Sequence, residues 1–197
     1  MLKVGVIGLQ GAVGEHIEAV KRAFEKLGVE GEVFWLKRPE QLNAIDAIIL
    51  PGGESTTISR LMQKNGLFEP VMKLGEEGLP IMGTCAGLIL LAKKVEGAVE
   101  GQRFLGLLDV RVNRNAYGRQ VDSFEVPLKL SFSDEPFPGV FIRAPKIVGL
   151  LSDEVKPIAW HGEEVVGVEQ GSIIGLAFHP ELTESTALHE YLLKKAL

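Results

Sequence analysis

The fold of this chain is decided by the stretch LPIMGTCAGLILL, residues 79–91. Residues 79–83 form a short apolar run that predicts a buried strand, and residues 86–95 continue with a helical pattern. Between them, Gly83-Thr84-Cys85-Ala86-Gly87 has the G-x-C-x-G form of a nucleophile elbow, with cysteine in the place of serine. Such a turn places the sulfur at the carboxyl end of a sheet, where open α/β folds bind their ligands.

Upstream of this turn, strand patterns alternate with helical ones. A helix is predicted over residues 15–27, where apolar side chains recur at helical spacing, and a second follows Pro51-Gly52-Gly53 with Ser55 or Thr56 as its N-cap. Strands are predicted at residues 3–9, 32–36 and 44–50. This alternation indicates an α/β fold with a mostly parallel central sheet and helices on both faces.

Downstream of residue 96 the pattern changes to short strands separated by turns. They are predicted at residues 104–112, 123–130, 139–142, 155–160, 164–169 and 172–178. Helix returns from about residue 183. The chain shows no internal repeat and no obvious linker, so we predict one domain spanning residues 1–197, with the additional short strands in its C-terminal half.

Composition narrows the functional class. The 197 residues are 46% hydrophobic, which suits one large core, and the net charge of −5 with no long basic run argues against nucleic-acid binding. No apolar stretch reaches the roughly 20 residues of a membrane span, and no signal-peptide pattern opens the sequence. A single cysteine cannot form an internal disulfide. We therefore expect a cytoplasmic protein.

Of the four histidines, His179 is the candidate base for Cys85. It ends an apolar run and precedes a proline, which favours an extended conformation and would place Glu181 on the same side as the imidazole. Glu181 could then orient His179 as the third member of a triad. For His16 and His189 we expect surface or partly buried structural positions, and for His161 a turn.

The turn Pro51-Gly52-Gly53 offers a second functional feature. Glycine there would let the Gly53 N–H approach a ligand, and the Ala86 N–H after the cysteine points toward the same developing oxyanion. Taken alone, this segment is better explained as an ordinary strand-to-helix turn with a Ser or Thr cap. The glycines at 8, 11 and 14 lack the spacing of a dinucleotide-binding loop. No histidine or cysteine pair has metal-ligand spacing, so no metal site is expected.

Taken together, these motifs resemble the class I, triad-type glutamine amidotransferases, whose fold is flavodoxin-like. The chain is most similar to the branch formed by the glutaminase subunits of pyridoxal 5′-phosphate synthases. The matching blocks are residues 8–12, 37–42, 52–57, 83–88, 118–124, 141–145 and 178–183.

The resemblance implies hydrolysis of L-glutamine to glutamate and ammonia by Cys85, His179 and Glu181. Ammonia would pass to a separate synthase subunit, in a multimeric hetero-complex, that makes pyridoxal 5′-phosphate; no cofactor is expected on this chain. Gly53 and Ala86 would form the oxyanion hole. Glutamine would be bound by Gly53, Glu54, Ser55, Arg114, Ile142 and Arg143, with Arg119 as a further neighbour. Gln10 is assigned to coupling with the partner.

Three alternatives remain open on the sequence. The chain could be another class I glutaminase subunit, such as one serving histidine biosynthesis. It could be a cysteine or isopeptide hydrolase on a similar fold. It could also be a catalytically silent binding module with a structural cysteine.

Overall fold

A computed structural model describes residues 1–116 and 123–197. Its first half interleaves four strands with four helices. The elements are β1 Leu2–Ile7, α1 Val13–Leu27, β2 Gly31–Leu36, β3 Ala47–Leu50, α2 Ser55–Lys64, α3 Phe68–Glu76, β4 Ile81–Thr84 and α4 Ala86–Leu91.

The second half is built mostly of strands and closes with one helix. The elements are β5 Ala92–Glu96, β6 Leu108–Asn113, β7 Ser123–Leu130, β8 Ser133–Ile142, β9 Lys146–Leu150, β10 Lys156–His161, β11 Glu164–Gln170, β12 Ile173–Leu176 and α5 Ala187–Ala196. Short 3₁₀ turns lie at Pro39–Leu42 and Pro180–Leu182.

The central sheet of the described residues has nine strands in the order β2-β1-β3-β4-β12-β11-β10-β7-β8. The first five pair in parallel, and the remaining pairings are antiparallel. The α/β class is confirmed, but the sheet is mixed, with a parallel core, where a mostly parallel one was expected. Strands β5, β6 and β9 form a smaller second sheet.

The structure differs from the sequence-based prediction at two element ends and contains two elements that were not predicted. The helix after the elbow ends at Leu91, because residues 92–96 pair in parallel with β6. Helix α3 and strand β9 were not predicted. Glu54, and neither Ser55 nor Thr56, caps α2: its carboxylate accepts hydrogen bonds from the backbone N–H groups of Thr56 and Thr57 at 3.2 and 2.7 Å.

The parallel core brings the candidate residues together. Strands β1, β3, β4 and β12 are neighbours in the sheet, and Gln10, Gly52, Cys85 and His179 follow their respective carboxyl ends. Leu176 of β12 pairs with Thr84 of β4, so the chains leading to His179 and Cys85 leave the sheet side by side. Among the described residues, no helix has both the length and the apolar character that crossing a membrane requires.

Candidate active site

Cys85 sits in a strained turn between β4 and α4. Its φ of 53° and ψ of −103° are unusual for a residue with a side chain, a conformation that costs on the order of 1–3 kcal/mol and is typical of functional sites. Its backbone N–H donates to the Leu176 carbonyl at 2.8 Å, which ties the elbow to β12. Gly87 is required beside it, because a Cβ there would collide with the Leu50 carbonyl oxygen. The elbow predicted from the sequence is present.

His179 connects the cysteine to a carboxylate. Its Nδ1 lies 2.6 Å from Glu181 Oε1, and on its other side the imidazole lies beside the Cys85 side chain, which influences its pKa. Because His179 Nδ1 is hydrogen bonded to the Glu181 carboxylate, Nε2 is the ring nitrogen available to the Cys85 sulfur. The predicted contact between His179 and Glu181 is therefore present, but the expected extended geometry is wrong: Glu181 reaches back from the 3₁₀ turn Pro180–Leu182. All three side chains are buried.

Opposing influences act on the protonation of His179. Burial, the largest single influence, lowers its pKa, but hydrogen bonds to Cys85 and Glu181 and the charges of both partners together raise the pKa from 6.5 to about 10. The imidazolium is therefore favoured at neutral pH. A protonated histidine beside a sulfur can support a thiolate and later donate a proton to a leaving group.

Gly52 forms the wall opposite the imidazole. A Cβ at this position would lie 2.5 Å from His179 Cε1 and 3.5 Å from Cys85 Cβ. The backbone of the 51–53 turn therefore passes directly beside two members of the constellation. This close approach explains why the turn carries glycine, and it favours a functional interpretation of residues 51–53 over an ordinary turn.

The loop after β1 holds the glycine turn in place. The Ala12 N–H donates to the Gly52 carbonyl at 3.0 Å, and Gln10 Oε1 accepts from the Glu54 N–H at 2.9 Å. In a trans peptide the C=O and the following N–H point in opposite directions, so the Gly53 N–H points away from Ala12. Gln10 thus contacts the segment that would supply an oxyanion donor.

Glu54 and Arg114 form an ion pair beside this turn. Arg114 Nη2 lies 3.1 Å from Glu54 Oε1, and Nη1 donates to Gln102 Oε1 at 3.0 Å. Although desolvation, the largest influence, raises the pKa of Glu54, its hydrogen bonds to Thr57, Thr56 and Arg114 lower the pKa overall. The carboxylate form of Glu54 is therefore favoured, and the ion pair fixes the two side chains relative to each other.

The remaining predicted residues differ in burial and in their contacts. The Ile142 carbonyl is 3.9 Å from Cys85 Sγ, whereas the Ile142 side chain is exposed. Arg143 follows it with a φ of 42° and an exposed side chain. Ser55 is buried at the start of α2, where its hydroxyl accepts from Gln102. Ala86 is the first residue of α4, so helix geometry leaves its N–H without an intrahelical partner. Arg119 lies outside the described residues.

The expectation for two histidines is wrong. His16 and His189 are completely buried, and their rings meet behind the constellation with His16 Nδ1 2.9 Å from His189 Nε2. His16 Nε2 lies 3.1 Å from Thr84 Oγ1 and 3.5 Å from Glu181 Oε2. The helical pattern of residues 15–27 places His16 on the same face as Val20, a position from which burial could have been inferred. Within residues 1–116 and 123–197, no cluster of His, Cys, Asp and Glu side chains has a metal-binding arrangement.

Comparison with known proteins agrees with this geometry. The chain is 89% identical over its full length to the pyridoxal 5′-phosphate synthase subunit PdxT of Thermococcus onnurineus, covering 100% of both chains. It is 71% identical over 195 residues to the subunit of the same name from Pyrococcus furiosus, covering 99% of each.

Solved structures give the same result. A glutamine amidotransferase crystal structure matches with a TM-score of 0.86 and 45% identity, over 98% of both chains. PurLQS from Thermotoga maritima matches with a TM-score of 0.63 at 18% identity, covering 99% of this chain and 97% of the other, which shows a shared fold alone. The model of the SNO glutamine amidotransferase family matches residues 6–197. This match covers nearly the whole sequence, and the structure adds a cysteine elbow beside a histidine that contacts a carboxylate. The chain therefore belongs to the SNO glutamine amidotransferase family.

Proposed function

We propose that this glutamine amidotransferase hydrolyses L-glutamine to L-glutamate and ammonia with Cys85 as nucleophile, His179 as acid and base, and Glu181 as the residue that orients His179. One observation carries the proposal. A buried histidine lies beside a cysteine in a strained elbow, which helps to raise its pKa, and hydrogen bonds at 2.6 Å to a carboxylate. This is the arrangement that nucleophilic acyl transfer requires.

The reaction divides into two steps. The Cys85 thiolate attacks the side-chain amide carbon, and the N–H groups of Gly53 and Ala86 hold the resulting oxyanion. As the carbon–nitrogen bond breaks, the imidazolium of His179 gives its proton to the nitrogen, which leaves as ammonia. A glutamyl thioester remains. His179, now neutral, takes a proton from water as the water attacks the thioester, and the carbon–sulfur bond breaks to release glutamate and the thiolate.

Substrate binding is assigned to the rim of the elbow. A free amino acid requires cationic donors for its carboxylate and acceptors for its ammonium group. Arg143 is exposed directly after the Ile142 carbonyl that faces the sulfur, so it suits the carboxylate. Gly53, Glu54 and Ser55 line the opposite side, and Arg114 holds Glu54 in place at 3.1 Å.

The ammonia is assigned to a partner. The relatives named above are subunits of pyridoxal 5′-phosphate synthase, and we assign this chain the same place: the glutaminase subunit of a cytoplasmic multimeric hetero-complex. The synthase subunit would assemble pyridoxal 5′-phosphate with the ammonia. Pyridoxal 5′-phosphate is then a product of the partner, and the chemistry of Cys85 needs no cofactor.

The partner is also expected to switch the glutaminase on. The Gly52 carbonyl and the Glu54 N–H are both held by the loop that carries Gln10 and Ala12, so a protein bound to that loop can bias the orientation of the Gly53 N–H. Only one orientation of this peptide presents a donor to the oxyanion. Gln10 is the side chain through which this coupling is assigned.

The deciding experiment is an ammonia-release assay on the chain with its candidate synthase subunit. Replacing Cys85 with alanine should abolish glutamine hydrolysis while the circular dichroism spectrum is unchanged, since no thioester can form. Thiol alkylation of the unmodified chain should be slowed by glutamine, because the substrate covers the sulfur. Ammonia release by Cys85→Ala above a trace would refute the assignment. A glutaminase that works with a different synthase would instead redirect the choice of partner.

A further inference from the structure

Behind the catalytic constellation, four buried side chains continue the chain of polar contacts. Glu181 uses Oε1 for His179, while its Oε2 has no hydrogen-bond partner within the described ranges and lies 3.5 Å from His16 Nε2. His16 in turn contacts Thr84 Oγ1 at 3.1 Å and His189 Nε2 at 2.9 Å. These groups come from α1, the end of β4, the 3₁₀ turn and α5. The contacts therefore join four separate elements at one point.

The tautomers of the two histidines follow from the contacts. His189 Nδ1 is buried and has no partner in the described part of the chain. If it carried the proton, a buried donor would be left unsatisfied, which is strongly unfavourable. The proton of His189 therefore lies on Nε2 and is donated to His16 Nδ1. His16 must then carry its own proton on Nε2, which faces Thr84 and Glu181. The reverse assignment would also turn a nitrogen lone pair toward the carboxylate.

We propose that His16 is a positioning residue for the triad: its Nε2–H, fixed by the hydrogen bond from His189 and by the contact with Thr84, faces the second carboxylate oxygen of Glu181 at 3.5 Å, attracts it and so keeps His179 aligned with Cys85. This inference rests on the proposed function. A neutral donor suits the task better than a cation would. An arginine or lysine in the same place would compensate the negative charge of Glu181, on which the imidazolium of His179 depends.

The surroundings keep both histidines neutral. Burial first, and then His189 and His179, lower the pKa of His16 well below 6.5. Burial first, and then the charge of Arg22, lower the pKa of His189 to about 3. The groups facing the pair are Thr84 from β4, Glu181 and His179 from the 3₁₀ turn and its approach, and Arg22 from α1. Both histidines therefore remain neutral at the pH at which the enzyme would work, as the assigned hydrogen bonds require.

Substitution at His16 separates a donor role from a packing role. His16→Met keeps an unbranched side chain of similar reach but has no N–H, whereas His16→Gln retains an amide donor. In the presence of the synthase subunit, His16→Met should lower kcat for glutamine hydrolysis on the order of 10- to 100-fold with KM unchanged. His16→Gln should recover most of that loss. The exposed His161, replaced by methionine, is the matched control and should leave kcat unchanged.

The results of these experiments distinguish a misfolded variant, a wrong assignment of His16 and a wrong proposed function. Thermal unfolding of every variant shows whether the activities compare folded proteins. A folded His16→Met variant with the kcat of the unmodified enzyme would overturn the inference, as would a His16→Gln variant that is equally slow. If Cys85→Ala retains activity, the proposed function fails instead. Should His16→Met not fold, ¹⁵N NMR of the unmodified chain decides: the inference requires the Nε2–H tautomer of His16, and an Nδ1–H tautomer would refute it.

Discussion

Replacing Gly52 with alanine should damage catalysis by moving His179. The added Cβ would lie 2.5 Å from His179 Cε1 and 3.1 Å from Nδ1. Carbon atoms pack at about 3.5 Å or more, so the imidazole or the turn must shift by about 1 Å. The imidazole cannot shift freely, because its Nδ1 is 2.6 Å from Glu181 Oε1. A misplacement of about 1 Å costs roughly 100-fold in rate, or about 2.7 kcal/mol of transition-state free energy.

The assay is glutamine hydrolysis with the synthase subunit present, read as kcat and KM. Gly14→Ala is the matched control, since a Cβ on Gly14 has no atom within 4 Å and this residue lies inside α1. It should leave kcat unchanged and raise stability by about 0.5–1 kcal/mol through helix propensity. A Gly52→Ala variant with nearly full kcat would show that the imidazole can yield, and would contradict the reasoning.

Three further predictions concern charge and coupling. The pKa of His179 is raised in the folded protein, so its ion pairs stabilise the fold fully below about pH 6.5 and lose this contribution as the pH rises through about 10. The value of kcat/KM should fall over the same alkaline range, and Glu181→Gln should move this fall to lower pH. If the fall stays at the same pH in Glu181→Gln, Glu181 is not the cause of the raised pKa. Arg143→Ala or Arg114→Ala should lower kcat/KM, because the loss of a charge-assisted contact removes about 1.5–3 kcal/mol of binding free energy. Unaltered kinetics in both variants would show that neither arginine belongs to the glutamine site. Gln10→Ala should reduce the stimulation of glutamine hydrolysis by the synthase. This stimulation is expected to be at most roughly 10²–10³-fold in kcat, because that is what one oxyanion-hole donor contributes. Full stimulation of the variant would contradict the assigned coupling.

Local patterns were enough to find the residues that the proposed chemistry uses. Gly83 and Gly87 around Cys85 predicted a strand-to-helix elbow, because such a turn leaves no room for larger side chains. The apolar run before His179 predicted a strand that delivers it to the sheet edge. Each of these signals is contained within a few neighbouring residues, so it can be recognised without knowledge of the rest of the chain.

Contacts between distant segments decided what the local patterns could not. Residues 92–95 continue the predicted helical pattern but belong to strand β5, because they pair in parallel with β6, a segment that lies further along the chain. Glu54 caps α2 although Ser55 and Thr56 are the more usual capping types.

The same distinction applies to the buried polar groups. From the sequence, His16 and His189 lie 173 positions apart with no shared motif, and neither signals burial by its residue type. The tertiary structure brings α1 and α5 together behind β4, where water is excluded and each polar group must find a partner within the protein. The sequence by itself thus determined the fold class and the nucleophile, base and carboxylate as candidates. Only the tertiary structure determined which groups surround the carboxylate, because burial and hydrogen-bond partners depend on segments that are distant along the chain.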